Sequence, residues 1–354
     1  MKRIIVIIYS LIHFLVDLSC AILVNHLSTH IMNPGPNIFI AILIYNFFAF
    51  AVQLPIGILA DKINKNALCS SIGCIIVASA FAFTKFGVFS CLIAGIGNAM
   101  FHVGGGIDVL NMSNKKATPS GIFVSTGAMG IFLGSKSASV GFNKYYILII
   151  VLLLSAILLF WLYNQLKNID MMKNKIVIIP NININEIIAI ICLITTVIIR
   201  GYVGLILAFE WKSKFILALI STFAVVFGKM LGGIIGDKIG FIKISLLSLL
   251  ISAILFIFAF NNSILGILAI LFFNMTMPIT LIALSNILFN NKGLAFGLLT
   301  FALFIGAVPV FFGYTNIIFT PIGLCITSLI SAIILYIGIK KYNLILEKNK
   351  WFIV

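Results

Sequence analysis

Charge is what this chain has least of. Only 9% of its 354 residues are charged, and Asp and Glu together number 8 against 23 Lys and Arg. With 62% hydrophobic residues and a mean hydropathy of +1.24, a soluble domain of this length could not keep its apolar surface away from water. Polar stretches long enough for a separate soluble domain are also missing. No nucleotide-binding loop of the form Gly-x4-Gly-Lys-Ser/Thr occurs, so ATP coupling has no support. The six cysteines (20, 69, 74, 91, 192 and 325) form no Cys-x-x-Cys pair and have no His at metal-ligand spacing. A disulfide framework, a structural zinc site and a bound cofactor are therefore not expected.

What fills the chain is a succession of apolar runs near the 20 residues that cross a bilayer. They place spans near 4 to 24, 38 to 60, 67 to 83, 87 to 112, 119 to 140 and 145 to 163. A second set follows near 186 to 208, 214 to 236, 241 to 260, 263 to 288, 293 to 313 and 317 to 339. The expected fold is an all-α polytopic membrane protein with twelve transmembrane helices. Residues 1–164 and 186–354 form two six-helix bundles, joined by a cytoplasmic linker at 165–185.

The net charge of +15 could suggest nucleic-acid binding, but the basic residues sort by membrane side instead of forming a patch. Lys2, Arg3, Lys62, Lys65, Lys115, Lys116, Lys167, Lys173, Lys175, Lys238, Lys243, Lys292, Lys340, Lys341, Lys348 and Lys350 share one side, and the other holds Lys85, Lys144, Lys212 and Lys214. The positive-inside rule makes the first side cytoplasmic, with both termini there and the protein in the cell membrane. The Met-Lys-Arg start imitates a signal peptide, but its apolar run continues past Val24 and carries His13 and Asp17, so it is expected to stay attached.

An internal repeat gives the clearest signal. Gln53-x-x-x-Gly57-x-x-x-Asp61-Lys62 returns as Lys229-x-x-x-Gly233-x-x-x-Asp237-Lys238, an offset of 176 (61 to 237), close to half the chain. The same offset carries Asn98 onto Asn274.

This Gly-x-x-x-Asp-Lys pattern, at the cytoplasmic end of the second helix of each half, resembles the signature loop of the major facilitator superfamily. The family loop continues with Gly and two basic residues. The first copy, Gly57-Ile-Leu-Ala-Asp61-Lys62-Ile-Asn64-Lys65, has Asn64 for that Gly, and the second has Gly240. Within the superfamily, His13-Phe-Leu-Val-Asp17, Phe101-His102-x-Gly104-Gly105 and Arg200 resemble the fosmidomycin-resistance antiporters, although Val103 stands where that subgroup often has Pro. The resemblance implies the major facilitator fold, with the first helix of each three-helix unit lining a central cavity. It also implies an inner gate built from Gly57, Asp61, Lys65 and Asp108, with Gly233 and Asp237 as counterparts. Leu284 occupies the place corresponding to Asp108. An Asp108 lying passively at the headgroup level is the alternative.

An ionisable residue inside a span costs about 2.5–3.5 kcal/mol on insertion scales, so its presence asks for a reason. His13 and Asp17 share a helix face at i, i+4, as do Asn98 and His102. At 1.5 Å per residue, both histidines lie about 15 Å deep, and Asp17, Asn98 and Arg200 about 20 Å deep. A polar site near the midplane is where alternating-access transporters bind. His13, Asp17, Asn98, His102, Arg200, Lys229 and Asn274 are therefore the candidate substrate and proton residues. Asp17 would be the protonatable switch, a histidine the relay, and Arg200 the partner of Asp17 or of an anionic substrate. A purely structural ion pair is the other reading. Lys229 either meets a carboxylate or snorkels to the surface, as does Lys136. Gly127-x-x-Gly130-x-x-x-Gly134 allows close helix approach; Gly134 is followed by Ser135, whereas the antiporters usually place Gly-Pro in this helix.

The expectation is a secondary active transporter, not an enzyme, moving a small polar or anionic solute by proton-coupled efflux as a monomer in the lipid bilayer, with no nucleic-acid partner. Proton-coupled uptake is the alternative. A membrane-embedded transferase ranks lower, because His13-x3-Asp17 lacks the x4 spacing of such enzymes and no large loop holds a donor substrate.

Overall fold

A computed structural model describes residues 2–31, 36–141, 144–166 and 183–350. Most of the expected linker, with Lys167, Lys173 and Lys175, lies outside them. Among the described residues there are helices and turns and no strands. The helices are α1 (Lys2–His26), α2 (Pro36–Asn46), α3 (Gln53–Ile63), α4 (Asn66–Ala80), α5 (Val88–Met112), α6 (Thr118–Ser139), α7 (Tyr145–Leu166), α8 (Ile184–Ile206), α9 (Phe215–Ile239), α10 (Phe241–Phe258), α11 (Ser263–Asn274), α12 (Met277–Ile287), α13 (Lys292–Phe311) and α14 (Pro321–Lys350).

These helices make twelve membrane-length passages. Eleven are long and apolar enough to cross a bilayer; α6 has the length, at 22 residues, but its Gly, Ser and Thr content lowers its hydropathy. Several passages depart from regular α-helix along their length. In the second passage a π-helical turn at Phe47–Ala51 joins α2 to α3 without leaving helical backbone, and the tenth passage is interrupted between α11 and α12, ahead of Pro278, which cannot continue the hydrogen-bond ladder. The last passage starts at Pro321, later than the expected 317, because Thr315 to Thr320 form turns.

Local chemistry sets the ends. Asn183 and Glu186 form a capping box at the start of α8. Asn262 accepts from Ile264 N and Leu265 N at the start of α11. Between α3 and α4 the chain turns through Asn64, which is left-handed at φ 55 and ψ 38 and donates from Nδ2 to Asp61 O at 2.9 Å. Its counterpart Gly240 also has positive φ, 96. The signature loop therefore needs a residue that tolerates positive φ, and Asn64 fills the place of the family glycine on that account. Asn64→Ala is expected to cost about 1 kcal/mol and lower the Tm of the purified protein, whereas Asn64→Gly should leave the Tm within a degree or two of wild type.

By contacts the chain forms two compact units. Unit 1 holds residues 1–114, 123–176 and 290–304, and unit 2 holds 115–122, 177–289 and 305–354. Each unit thus includes a short segment from the opposite sequence half. In unit 1, α4 and α5 meet along a glycine seam, where a Cβ on Gly73 would press on Phe101 N and Gly97 O, and one on Gly97 on Val77 N and Gly73 O. The outward faces are apolar: Leu154, Ile157 and Trp161 are 60%, 65% and 54% exposed. Such faces suit lipid and would aggregate in water.

Candidate functional site

In unit 1, α1, α5 and α6 converge on a buried polar cluster. Asp17 Oδ1 accepts from Asn98 Nδ2 at 2.9 Å. Asp17 Oδ2 lies 3.1 Å from His13 Nε2, and Oδ1 lies 3.6 Å from His102 Nε2. The two Nε2 atoms are 2.7 Å apart. Each Nδ1 faces a backbone carbonyl, His13 that of Phe123 at 2.7 Å and His102 that of Asn98 at 2.9 Å. Asp17 is 7% exposed and the His102 side chain 13%, so His102 is the most open member. The four residues expected from i, i+4 spacing are brought together here.

The glycines of α6 make this approach possible. A Cβ on Gly127 would strike the Asp17 carboxylate and the His13 ring, one on Gly130 the Phe14 carbonyl, and one on Gly134 the Leu18 carbonyl. Thr126 Oγ1 adds a bond to Ser10 O at 2.7 Å. The close-approach reading of this stripe is thus given a specific partner, α1.

Arg200, on α8 in unit 2, is 7% exposed. Its one hydrogen bond among the described residues runs from Nη1 to Thr280 Oγ1, 3.2 Å, in the first turn of α12 after the break. A guanidinium carries five N–H donors, so most of its capacity is uncommitted. Asn274, the last residue of α11, donates to Ile270 O at 2.8 Å. Lys229 is half-buried on α9, and its carbonyl lies against Gly121.

The expected gate residues separate into three environments. Asp61, 1% exposed, accepts from Gly293 N and Leu294 N, both at 2.8 Å, through its two oxygens. It thereby satisfies the free donors at the start of α13. Gly57 lies so close to Gly293 that a Cβ on either would overlap the other's backbone. Asp237 repeats the arrangement on α6, accepting from Ala117 N at 2.7 Å, Thr118 N at 2.9 Å and Thr118 Oγ1 at 2.5 Å. A Cβ on Gly233 would press on Ala117 O. The partners keep the 176-residue offset (117 to 293, 118 to 294), so the repeat extends to groups that carry no motif letters.

Asp108 lies elsewhere. Its carboxylate accepts from Tyr9 OH at 2.6 Å and Asn66 Nδ2 at 2.9 Å, tying α5 to α1 and α4. Lys65 is exposed at the start of α4 and joins neither carboxylate. The expected three-residue cluster is replaced by these two separate sites, because Asp108 is drawn to buried hydroxyl and amide donors. Lys292, expected in a cytoplasmic loop, is instead the first residue of α13, 4% exposed, with Nζ donating to Leu110 O at 3.3 Å. The three consecutive polar residues Asn290-Asn291-Lys292 read as a loop in sequence because nothing local signals that the lysine turns inward.

Just beyond the end of α8, Phe209 stacks on Trp211, Trp211 Nε1 donates to Ala259 O at 2.8 Å, and Lys212 Nζ donates to Leu207 O at 2.7 Å. Burial pushes the Lys212 ammonium down to about 8. This turn closes the passage near the expected outer interface.

No protein-family model matches the chain, and no curated protein matches it in sequence. Solved structures do match it over nearly its whole length. A variant of the E. coli fucose:proton symporter FucP is 13% identical, covering 96% of this chain and 99% of that one with a TM-score of 0.69. The human organic anion transporter MFSD10 (TETRAN) is 12% identical, covering 94% and 99% with a TM-score of 0.67. The proton:xylose symporter XylE, of the major facilitator superfamily, is 12% identical, covering 95% of each chain with a TM-score of 0.65. The chain has the major facilitator fold and is a multi-pass membrane protein.

Proposed function

We propose that this major facilitator fold serves secondary active transport of a small solute by alternating access, coupled to protons through the His13, Asp17, Asn98 and His102 cluster. The observation that carries the reading is this one network of two imidazoles, a carboxylate and an amide, buried in the middle of three spans. Intramembrane ionisable groups are costly and mark ion and substrate pathways. An enzymatic reading has no comparable support, since the structural neighbours are transporters by name. Termini in the cytoplasm of a cell membrane follow from the basic-residue asymmetry.

Asp61 and Asp237 are the gate elements. Each binds the N-terminus of a helix from the opposite half of the sequence at the end of its span that the positive-inside rule makes cytoplasmic. Making and breaking these bonds accompanies the access change.

The solute carries an anionic group. Arg200 has one bond to a neutral hydroxyl and no ion pair among the described residues, and a buried guanidinium is the side chain best suited to carboxylate or phosph(on)ate. In a thermal-shift screen of carboxylates and phosphonates, Arg200→Gln is expected to weaken the responding ligand about 10- to 100-fold, the equivalent of one charge-assisted bond of about 1.5–3 kcal/mol. An unchanged response would remove Arg200 from the solute site.

Direction is tested by a growth-susceptibility panel of antibiotics and phosphonates in a transport-deficient bacterial host. The motif resemblance to fosmidomycin-resistance antiporters favours export, so wild type should confer resistance. Sensitisation would establish uptake instead, the mode named for the FucP and XylE neighbours.

A further inference from the structure

The hydrogen bonds around His13 and His102 fix where the proton sits. Both Nδ1 atoms face carbonyl oxygens, which only accept, so both must carry hydrogen. If both rings were neutral, both Nε2 atoms would then be bare, and two lone pairs would face each other across 2.7 Å. That separation is a hydrogen-bond length and needs a proton between the nitrogens. Moving the proton to Asp17 does not help. A protonated carboxyl could satisfy one Nε2, but the two nitrogens would still confront one another. His13, Asp17 and His102 bring their ligand atoms within 4.8 Å of one another, a grouping that could hold a metal ion, but the two nitrogens at 2.7 Å stand closer than the separation of well over 3 Å kept by two ligands about 2.0–2.1 Å from a tetrahedral ion.

We infer that the resting proton is shared between His13 Nε2 and His102 Nε2 as one imidazolium, and that Asp17 is its ionised counter-ion instead of the group that titrates. Asn98 holds the carboxylate in place through Oδ1. The other groups facing the cluster are Cys20, to which Asn98 Nδ2 also points at 3.8 Å, the rings of Phe101 and Phe123, and Tyr45 beside Cys20. None of these supplies a competing positive charge. Imidazolium and carboxylate together are neutral, which suits a membrane interior, and the more exposed His102 is the member from which the proton departs. This inference deepens the proton-coupled reading, but the protonation state is measurable without any solute.

The test uses the full chain in lipid nanodiscs with 15N-labelled histidine, of which there are four: His13, His26, His30 and His102. His26→Gln and His30→Gln assign the remaining two. Near neutral pH, wild type should show one imidazolium shared by His13 and His102, with the exchange-averaged shifts of an N–H···N bridge. In Asp17→Asn that signal should be lost, leaving neutral rings. Two neutral rings in wild type, together with an infrared band of a protonated Asp17 carboxyl, would overturn the assignment. So would the visible absorption of stoichiometric Co2+ held by the histidines. The wild-type spectrum decides the question even if the variant does not fold, and solute flux in proteoliposomes tests the transport reading separately.

Discussion

Asp17→Asn is expected to abolish proton-driven solute movement while the protein still reaches the membrane and elutes as a single species. Asn keeps the shape and one acceptor for Asn98 Nδ2, so the packing of α1 against α5 and α6 persists. What it removes is the negative charge 3.1 Å from His13 Nε2. Breaking a buried charge pair by removing one partner costs about 3–5 kcal/mol, so the imidazolium loses its proton and the loaded state is depleted. At about 1.4 kcal/mol per decade, the gradient-driven rate should fall 100-fold or more. The check is the initial rate of solute flux in proteoliposomes at matched protein density. A rate within a factor of three of wild type would remove Asp17 from the coupling path.

The second large effect is expected from Asp61→Asn. Both carboxylate oxygens are occupied by backbone donors at the start of α13, at 2.8 Å each. Asn has one oxygen, and its NH2 would face an N–H. One charge-assisted bond is lost and the other weakened, at about 1.5–3 kcal/mol for each such bond. The state in which Asp61 binds α13 should lose occupancy by about 30- to 100-fold, and transport with it. Asp237→Asn should have the smaller effect, because Asp237 is half-buried where Asp61 is 1% exposed. Single-cysteine labelling near the start of α13 reports the occupancy. Equal labelling of wild type and Asp61→Asn would show that this contact does not control access.

Much of the fold was legible because bilayer crossing demands long apolar runs, which few other structures require. Eleven of the twelve passages lie within a few residues of the expected spans, α6 among them despite its low hydropathy because polar breaks bound it, and the last starts at Pro321 and runs on to Lys350, past the expected 339. The π-helical turn at Phe47–Ala51 is hard to read, since it holds only Phe and Ala and the nearest proline is Pro55, whereas Pro278 does mark the interruption between α11 and α12, although many spans tolerate a proline. The His13, Asp17, Asn98, His102 grouping was legible from helical periodicity and matching depth. The proton's location was not, because it depends on the carbonyls of Phe123 and Asn98, and backbone acceptors leave no trace in the residue letters. The same holds for Gly293, Leu294, Ala117 and Thr118, which meet the two motif aspartates through N–H groups. Asp108 illustrates the opposite failure. A superfamily resemblance put it with Asp61 and Lys65, while its carboxylate accepts instead from the hydroxyl of Tyr9 at 2.6 Å and the amide of Asn66 at 2.9 Å, both unremarked in sequence.

The most direct test of the central account is proton flux in proteoliposomes containing a trapped pH dye, measured on adding an anionic solute that the thermal-shift screen has identified. Wild type should move protons in proportion to the solute, opposite to it if the protein exports by antiport and with it if it takes solute up, and Asp17→Asn should move neither under a pH gradient. Solute flux indifferent to the gradient, and unchanged by Asp17→Asn, would contradict proton coupling through this cluster.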